Sequence, residues 1–591
     1  MTMKNKSRYS LIVAAAAAAA GSLVSPVASA NVAKLTSAKD NTLYKSLTGS
    51  LSNGAGDAFF AGTTAGSEPR RGLIAFDLQA GLPSNAVINS ASVTLTSIRA
   101  LGTSTVTLQR ALKDWGEGTS DAGPTGGGGD VATTGDATWL HTFYNTAFWT
   151  TPGGDFSATV SASASMSTGA ANFSGSQLLA DVQGWHGNPS TNFGWAVIGN
   201  EASAGTAKRI ASHENEDKDA RPLLTVDYSA STWKTASGVW SAGANWNFGV
   251  PYAVGAEANF SFAIAGNPGA GIPVTIDGPK TLAVLNFDSA NSYTLSGSAL
   301  TLNRAAGRNA INVKNGSHHV AAALSLNRNT DITVNPGAAL AVTGALTTAA
   351  GVSIDKLGGG TFTANNIRAA GLSVNGGTVA IAPSGGAASG TSKVGALEIA
   401  AARFDLGDNK LIIAAADVGI SDGANYSGVS GLIQAGFNGG GWDGNGLVTS
   451  MPDAAIGLTT LAVAGADETG YADGTFGGQS VAPGSVIVMY TYAGDANLDG
   501  FISGDDYSTI DFNVGTGTGG YYNGDFNYDG IVSGDDYSTI DFNFAAQGSV
   551  FPTSGMPGLT AVPEPAAVTL LLAAPAMCLL RRRRTRRGWP V

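Results

Sequence analysis

DITVNPGAALAVTG (331–344) and GLSVNGGTVAIA (371–382) carry the pattern that decides the architecture of the middle of this chain. In each, Val, Leu or Ile alternates with small or polar residues for a few positions, and Asn or Gly then ends the run. Such alternation turns one face of a short strand toward a core. AVLNFDSANSYTLSGSALTLN (283–303) and ALEIAAARFDLGDNKLIIAA (396–415) repeat it. The spacing is irregular, about 20 to 25 residues, and short strands recurring on that period stack so that each turn covers the next. Residues 229–490 are therefore expected to form a β-solenoid.

This region opens with TWKTASGVWSAGANWNFGVP (232–251), where Trp233, Trp240 and Trp246 punctuate short strands. It closes with LIQAGFNGGGWDGNGLVTS (432–450) and YADGTFGGQ (471–479), which read as a cap. The repeats resemble the β-strand repeats of autotransporter passengers, which implies a parallel, right-handed β-helix serving as stalk, adhesin or scaffold of a polysaccharide lyase.

Residues 31–228 read differently. LIAFDL (73–78), ASVTLTSI (91–98), TVTLQRAL (105–112), WAVIGN (195–200) and PLLTVDY (222–228) alternate with period two between Gly, Asn and Pro breaks. Many such strands in sequence suggest a β-sandwich. Asp40-Asn41-Thr42-Leu43, Arg71, Asp114-Trp115-Gly116-Glu117-Gly118, Trp139, Trp149 before PGGDF (152–156), Asn192-Phe193-Gly194-Trp195 and Ser212-His213-Glu214 follow in order. They resemble the DNRLRE family, a jelly-roll group akin to carbohydrate-binding modules, and the resemblance implies glycan binding or surface attachment. Aromatic faces stack on sugars while carboxylates take hydroxyls, so Trp115, Glu117, Trp139, Trp149 and Glu214 are candidates. The same tryptophans would equally fill a sandwich core.

Beyond the solenoid the chain repeats itself. GDANLDGFISGDDYSTIDFN (494–513) and GDFNYDGIVSGDDYSTIDFN (524–543) agree at 16 of 20 positions. Each spells D-x-N-x-D-G with an Asp at the twelfth place, the oxygen spacing of a Ca²⁺ loop. The ligands would be Asp495, Asn497, Asp499, the Phe501 carbonyl, Ser503 and Asp506. In the second loop they would be Asp525, Asn527, Asp529, the Ile531 carbonyl, Ser533 and Asp536, making two ions in all. Gly500 and Gly530 stand where the loop must turn sharply. VIVMYTYAG (486–494) reads as a strand before the first loop. Tyr507, Ile510 and Val514, matched by Tyr537, Ile540 and Phe544, give each loop a short following helix. Loop then helix, duplicated, resembles a type I dockerin (491–548), which implies Ca²⁺ binding and a cohesin-like partner. Asp511 and Asp541 depart from that family, where leucines are usual.

Both ends read as export elements. Lys4, Lys6 and Arg8 precede an apolar run (11–24) and Ala-Ser-Ala at 28–30, a secretory signal peptide over 1–30. After a linker (549–561), VPEP (562–565) leads into an apolar run and Arg581–Arg584. This tail, 562–591, resembles the PEP-CTERM sorting signal. It implies a processing protease, transient membrane association and a Gram-negative-type envelope; an ordinary membrane anchor fits the same residues. Similar arrangements occur in exported proteins of planctomycete type.

Gly contributes 82 of 591 residues, and charged residues only 13%, a composition of turn-rich β structure. The formal charge is −11, and removing both ends leaves it near −20. Such a surface repels nucleic acid. The lone cysteine, Cys578, falls in the tail, so sheet burial and metal must stabilise the rest. Gly419-Ile420-Ser421-Asp422-Gly423 fits a nucleophile elbow but has no strand-to-helix context. Asp331, Asp355, Asp405 and Asp408 are too scattered to name an acid–base pair. His318-His319, within KNGSHH, reads as an exposed turn. No catalytic residue is nominated. The expectation is a mainly β, non-catalytic, exported surface or matrix protein that binds polysaccharide or matrix; the alternative is a secreted polysaccharide-degrading hydrolase or lyase with a docking module.

Overall fold

The computed structural model describes residues 31–553; the expected signal peptide and the Pro-Glu-Pro tail lie outside them. The described chain is mainly β and contains a β-solenoid of about six turns. It forms two compact units. One takes residues up to 250 together with 257–274 and 287–293; the other takes 251–256, 275–286 and 294 onward.

In the first unit, Asn31–Thr36, Leu223–Ser229, Val87–Ala100, Lys208–Ala211 and Ala58–Thr63 pair antiparallel in that order. Lys39–Tyr44, Pro69–Ala75, Trp195–Ile198, Ser104–Ala111 and Phe156–Met166 form a second antiparallel group. The groups join where Gly62 and Thr63 pair with Arg70 and Pro69. Val93 and Leu95 from one group meet Val106, Leu108 and Val197 from the other in a common core. Helix α1 (Ser176–Gly187) adds Leu178, Val182 and Trp185 to it. Alternation then sends Leu73, Ala75 and Ala196 to the reverse face. There they pack with Trp115, Trp139 and Trp149 in a second apolar cluster. Trp233, Trp240 and Trp246 are buried around Phe260, with centroids no more than 6.4 Å from its ring.

The solenoid of the second unit has three rows of strands. Asn309–Asn315, Thr330–Val334, Ser353–Leu357, Arg368–Val374, Ser392–Ile399 and Lys410–Ile413 form one. Ser317–Val320, Ala339–Val342, Thr361–Ala364, Thr378–Ile381, Arg403–Asp405 and Gly446–Val448 form the next. Lys280–Leu282, Leu300–Leu302, Leu324–Leu326 and Leu346–Thr348 form the third. Partners along the first row lie 18 to 25 residues apart in sequence. Register stacks like on like: Leu340, Phe362, Val379, Phe404 and Leu447 line up in turn, all buried. Burying each such side chain contributes about 1.5–3 kcal/mol.

His318 corrects the turn expected at KNGSHH. It lies on strand Ser317–Val320, in register with Leu340, and is buried with Nε2 2.8 Å from the Asn315 carbonyl. Alternation turns His318 and Val320 inward and leaves His319 outside.

At the far end the first row continues from Lys410–Ile413 into antiparallel strands Val486–Tyr492 and Thr459–Gly465. Helix α2 (Gly428–Phe437) precedes them, and the duplicated loops follow with helices α3 (Gly504–Asn513) and α4 (Gly534–Ala546).

Candidate metal centre

The strand Val486–Tyr492 delivers the chain to the first acidic loop. Asp495 is fully buried. Its Oδ1 accepts the Asp499 N–H at 3.1 Å, and its Oδ2 accepts the Gly500 N–H at 2.8 Å and the Thr491 hydroxyl. Asn497 Oδ1 accepts from Asp499 N, and Asp499 Oδ1 accepts from Phe501 N. The chain is thereby wound around its own side-chain oxygens. Leu498 and Gly500 take positive φ, 60° and 93°, and Tyr528 and Gly530 repeat this at 57° and 99°.

Asp506, at the twelfth place, is buried. Its Oδ1 accepts from Ala496 N at 2.8 Å, and its Oδ2 accepts from Ser503 N at 2.8 Å. Ser503 is the N-cap of α3 and closes a capping box with Asp506. One carboxylate thus ties loop to helix start. Ser533 and Asp536 repeat this at α4, with Phe526 N in place of Ala496 N.

The second loop keeps the same contacts at Gly530, Asn527 and Asp529. Asp525 Oδ2 also accepts the Tyr426 hydroxyl, which itself accepts the Gly520 N–H. Asp525 Oδ1 is buried without a hydrogen-bond partner. Phe501 and Ser503 are half-buried at the seventh and ninth places; Ile531 is exposed and Ser533 half-buried.

Burial pushes the Asp495 carboxyl up to about 7, with the charges of Asp506 and Asp499 adding to it against the Thr491 hydroxyl. Burial raises Asp536 to about 6, and raises Asp506 and Asp525 as well. Carboxylates that resist ionisation where they stand gain most from a nearby cation. The oxygen-only donor set and the partnerless Asp525 Oδ1 fit a hard divalent ion.

Several residues that hold the loops carry no motif. Ser421 donates to the Gly530 carbonyl at 3.0 Å, and Gln434 on α2 donates to the Tyr528 carbonyl at 2.8 Å. Tyr528 is buried and donates to the Leu461 carbonyl. Asn543 donates to the carbonyls of Gly457 and Ala493. The nucleophile-elbow match at Ser421 is thus a loop support. The only local signal for it is the Gly/Ser/Asp/Asn-rich run around Ser421.

In the first unit, Trp115, Trp139 and Trp149 are buried. Trp115 Nε1 donates to the Phe193 carbonyl at 2.8 Å and Trp149 Nε1 to the Thr138 carbonyl at 2.9 Å. Trp139 carries the Arg71 guanidinium over its ring at 4.9 Å, and none of the three is more than 9% exposed. Glu117 and Glu214 are brought together on His213, 3.4 and 3.0 Å from its ring nitrogens. Elsewhere in the unit, a cleft of about 390 Å³ is lined by Phe60, Arg70, Arg99, Thr125 and Arg209 among others. Arg209 Nη2 donates to Asp57 and to the Pro124 carbonyl, and Arg70 donates to the Pro69 carbonyl and stacks on Tyr44. Only their Nε atoms are buried without a partner, and Arg99 is exposed.

The scattered solenoid carboxylates have structural partners. Asp331 and Asp355 stand side by side on neighbouring strands, 2.5 and 2.7 Å from Arg308. Asp405 accepts from Gly407 N and Ser450 N, and Asp408 from Ser384 N and Gly385 N. The chain matches no known protein-family model and no curated protein.

Proposed function

We propose that this is a non-catalytic, exported surface or matrix protein whose duplicated loops each hold one Ca²⁺. Burial of four aspartates at equivalent places of two loops, with Asp525 Oδ1 left partnerless, carries this reading. The holders would be Asp495, Asn497, Asp499, Phe501, Ser503 and Asp506, and Asp525, Asn527, Asp529, Ile531, Ser533 and Asp536. Bound Ca²⁺ supplies positive charge and oxygen coordination that the buried carboxylates lack. The chain's own part is to pre-wind each loop and to fasten the second loop and its helix to the end of the solenoid through Tyr426, Gln434 and Asn543.

The dockerin-like and carbohydrate-module readings belong to this proposal. The bonds to the cap favour a clamp on the solenoid end over a freely tethered docking arm, and a cohesin-like partner would meet the loops from outside. For glycan attachment, the cleft with the exposed Arg99 on its wall offers more accessible surface than the buried tryptophans. Guanidinium groups pair bidentately with carboxylates and sulfates, so the cleft suits an anionic polysaccharide. Export and sorting rest on the two terminal signals.

Calorimetric Ca²⁺ titration of the exported chain tests the central claim. Two sites are expected, with Asp495→Ala and Asp525→Ala each removing one; a double variant that titrates like the parent refutes it. Affinity electrophoresis tests the cleft. Arg99→Glu, at an exposed lining position, should abolish retardation by a uronate-bearing polymer, and equal retardation of both proteins would discard the cleft.

A further inference from the structure

We propose that Asp40, His213 and Glu214, with Glu117 at the rim, form a site for one first-row divalent cation, best matched by Zn²⁺. It is separate from the acidic loops and lies wholly within the first unit. Three segments distant in sequence build it: strand Lys39–Tyr44 carries Asp40, the segment after Ser104–Ala111 carries Glu117, and the turn after Lys208–Ala211 carries His213 and Glu214.

One ligand atom from each of Asp40, His213 and Glu214 lies within 4.8 Å of the other two. His213 Nδ1 stands 3.2 Å from Asp40 Oδ2, and Nε2 stands 3.0 Å from Glu214 Oε1. Asp40 is only 1% exposed. Its Oδ2 accepts from His213 N at 2.9 Å and Ser37 Oγ at 3.3 Å, while its Oδ1 is buried with no partner. Glu214 Oε2 is likewise buried and partnerless. The hydrogen bonds from Asp40 and Glu214 hold the His213 imidazole up to about 10, so it is the positive partner present. A buried carboxylate oxygen without a donor is costly, and the two left over leave a place for a cation that would displace the imidazole proton.

Charge points the same way. Three carboxylates face a single imidazole. Lys39, next in sequence, is turned away to Asp114 Oδ1 at 2.9 Å and the Trp115 carbonyl at 2.5 Å. Arg221 donates its Nε to the Asn215 carbonyl. The framework is held without any ion: Glu117 Oε1 accepts from Asp40 N at 2.7 Å, and Asn41 Nδ2 donates to the Glu117 carbonyl at 2.7 Å. Side chains of His213, Glu117 and Glu214 are 26, 26 and 28% exposed, so an ion can enter from solvent and keep water ligands.

The donor set separates this site from the loops. Ca²⁺ prefers about six to eight oxygens, whereas one imidazole nitrogen with carboxylates suits Zn²⁺ and its neighbours. A cation here joins three segments of a unit that contains no cysteine, serving where a disulfide would in other exported domains.

The test uses tag-free exported chain, stripped with EDTA and resaturated with Ca²⁺ so that the loops are filled. Zn²⁺ titration should show one saturable site per chain at micromolar affinity or tighter. Glu214→Gln, at the solvent-facing rim, should weaken uptake at least tenfold with an unchanged near-ultraviolet circular dichroism spectrum. Asp40→Asn should abolish it, and Asp495→Ala with Asp525→Ala should leave it intact. X-ray absorption at the zinc edge should show nitrogen and oxygen ligands with an imidazole signature. Absence of saturable uptake, or equal uptake by the parent and Glu214→Gln, would overturn the proposal and leave the cluster a protonated histidine among carboxylates.

Discussion

Lys356 occupies a place that its row otherwise fills with apolar side chains, in register between Ile332 and Val374. It is fully buried, and its ammonium donates to the carbonyls of Leu357, Gly358 and Gly376 at 3.0, 2.8 and 3.0 Å. Lys410 is buried in the same row and donates to the Gly386 carbonyl at 2.8 Å. Burial pulls both ammonium groups down to about 8. Below that pH both folded and unfolded chains are protonated, and the full cost of burying charge is present. Between about 8 and the ordinary lysine value near 10.4, the folded chain releases these protons first, so each lysine contributes a rise in stability of up to about 1.4 kcal/mol per pH unit. The rise is partly offset by His213, which is held up to about 10 and so contributes the opposite slope. Above about 10 the sign reverses, because burial holds Tyr490 up to about 12 and the unfolded chain ionises first. Guanidinium unfolding at pH 8.0 and 9.5 in saturating Ca²⁺ should therefore show a rise that Lys356→Met reduces. Equal rises in parent and variant would mean that Lys356 keeps its proton throughout.

The loop–helix repeat shows which information is local and which is not. D-x-N-x-D-G gives the loop positions directly, because turn, oxygens and glycine all lie within six residues. The capping box is also local, in Ser503-x-x-Asp506, but it shares its aspartate with the twelfth ligand place and is easily overlooked. Asp511 and Asp541 are different. Tyr507 donates to Asp541 and Tyr537 to Asp511, so the residues that depart from the dockerin pattern hold α3 and α4 together. Those partners are 34 and 26 residues apart, beyond any local signal. The solenoid strands were legible because alternation at Ile332, Val334, Leu340 and Val342 persists over each run. Their sorting into three rows was not, since parallel pairing joins residues about a turn apart. Trp115, Trp139 and Trp149 lie where strands are short or lacking, so no alternation told inside from outside. The arginine cleft was illegible for a related reason: Arg70, Arg99 and Arg209 come from three strands that only the sheet brings together.

At the scale of the molecule, each candidate metal site lies within one of the two compact units. Loosening the acidic loops should therefore be felt along bonds internal to the second unit. Those bonds are specific. Tyr528 reaches Leu461 and Asn543 reaches Gly457, on and beside strand Thr459–Gly465. That strand pairs with Val486–Tyr492, which pairs with Lys410–Ile413, the last of its solenoid row. On the proposed Ca²⁺ binding, its removal would strip four buried aspartates of compensating charge and should make local opening easier. Hydrogen exchange read by mass spectrometry, with and without EGTA, should show faster exchange over residues 420–550. The effect should spread into 410–413 and fade before Thr330–Val334, where the solenoid is held by its own apolar stacks. Strands Val87–Ala100 and Leu223–Ser229 of the first unit should exchange at the same rate in both conditions. Zn²⁺ removal should give the reverse pattern, with faster exchange around 40, 117 and 213 and none over the loops. A uniform change across both units, or no change over 420–550, would contradict a calcium clamp at the end of the solenoid.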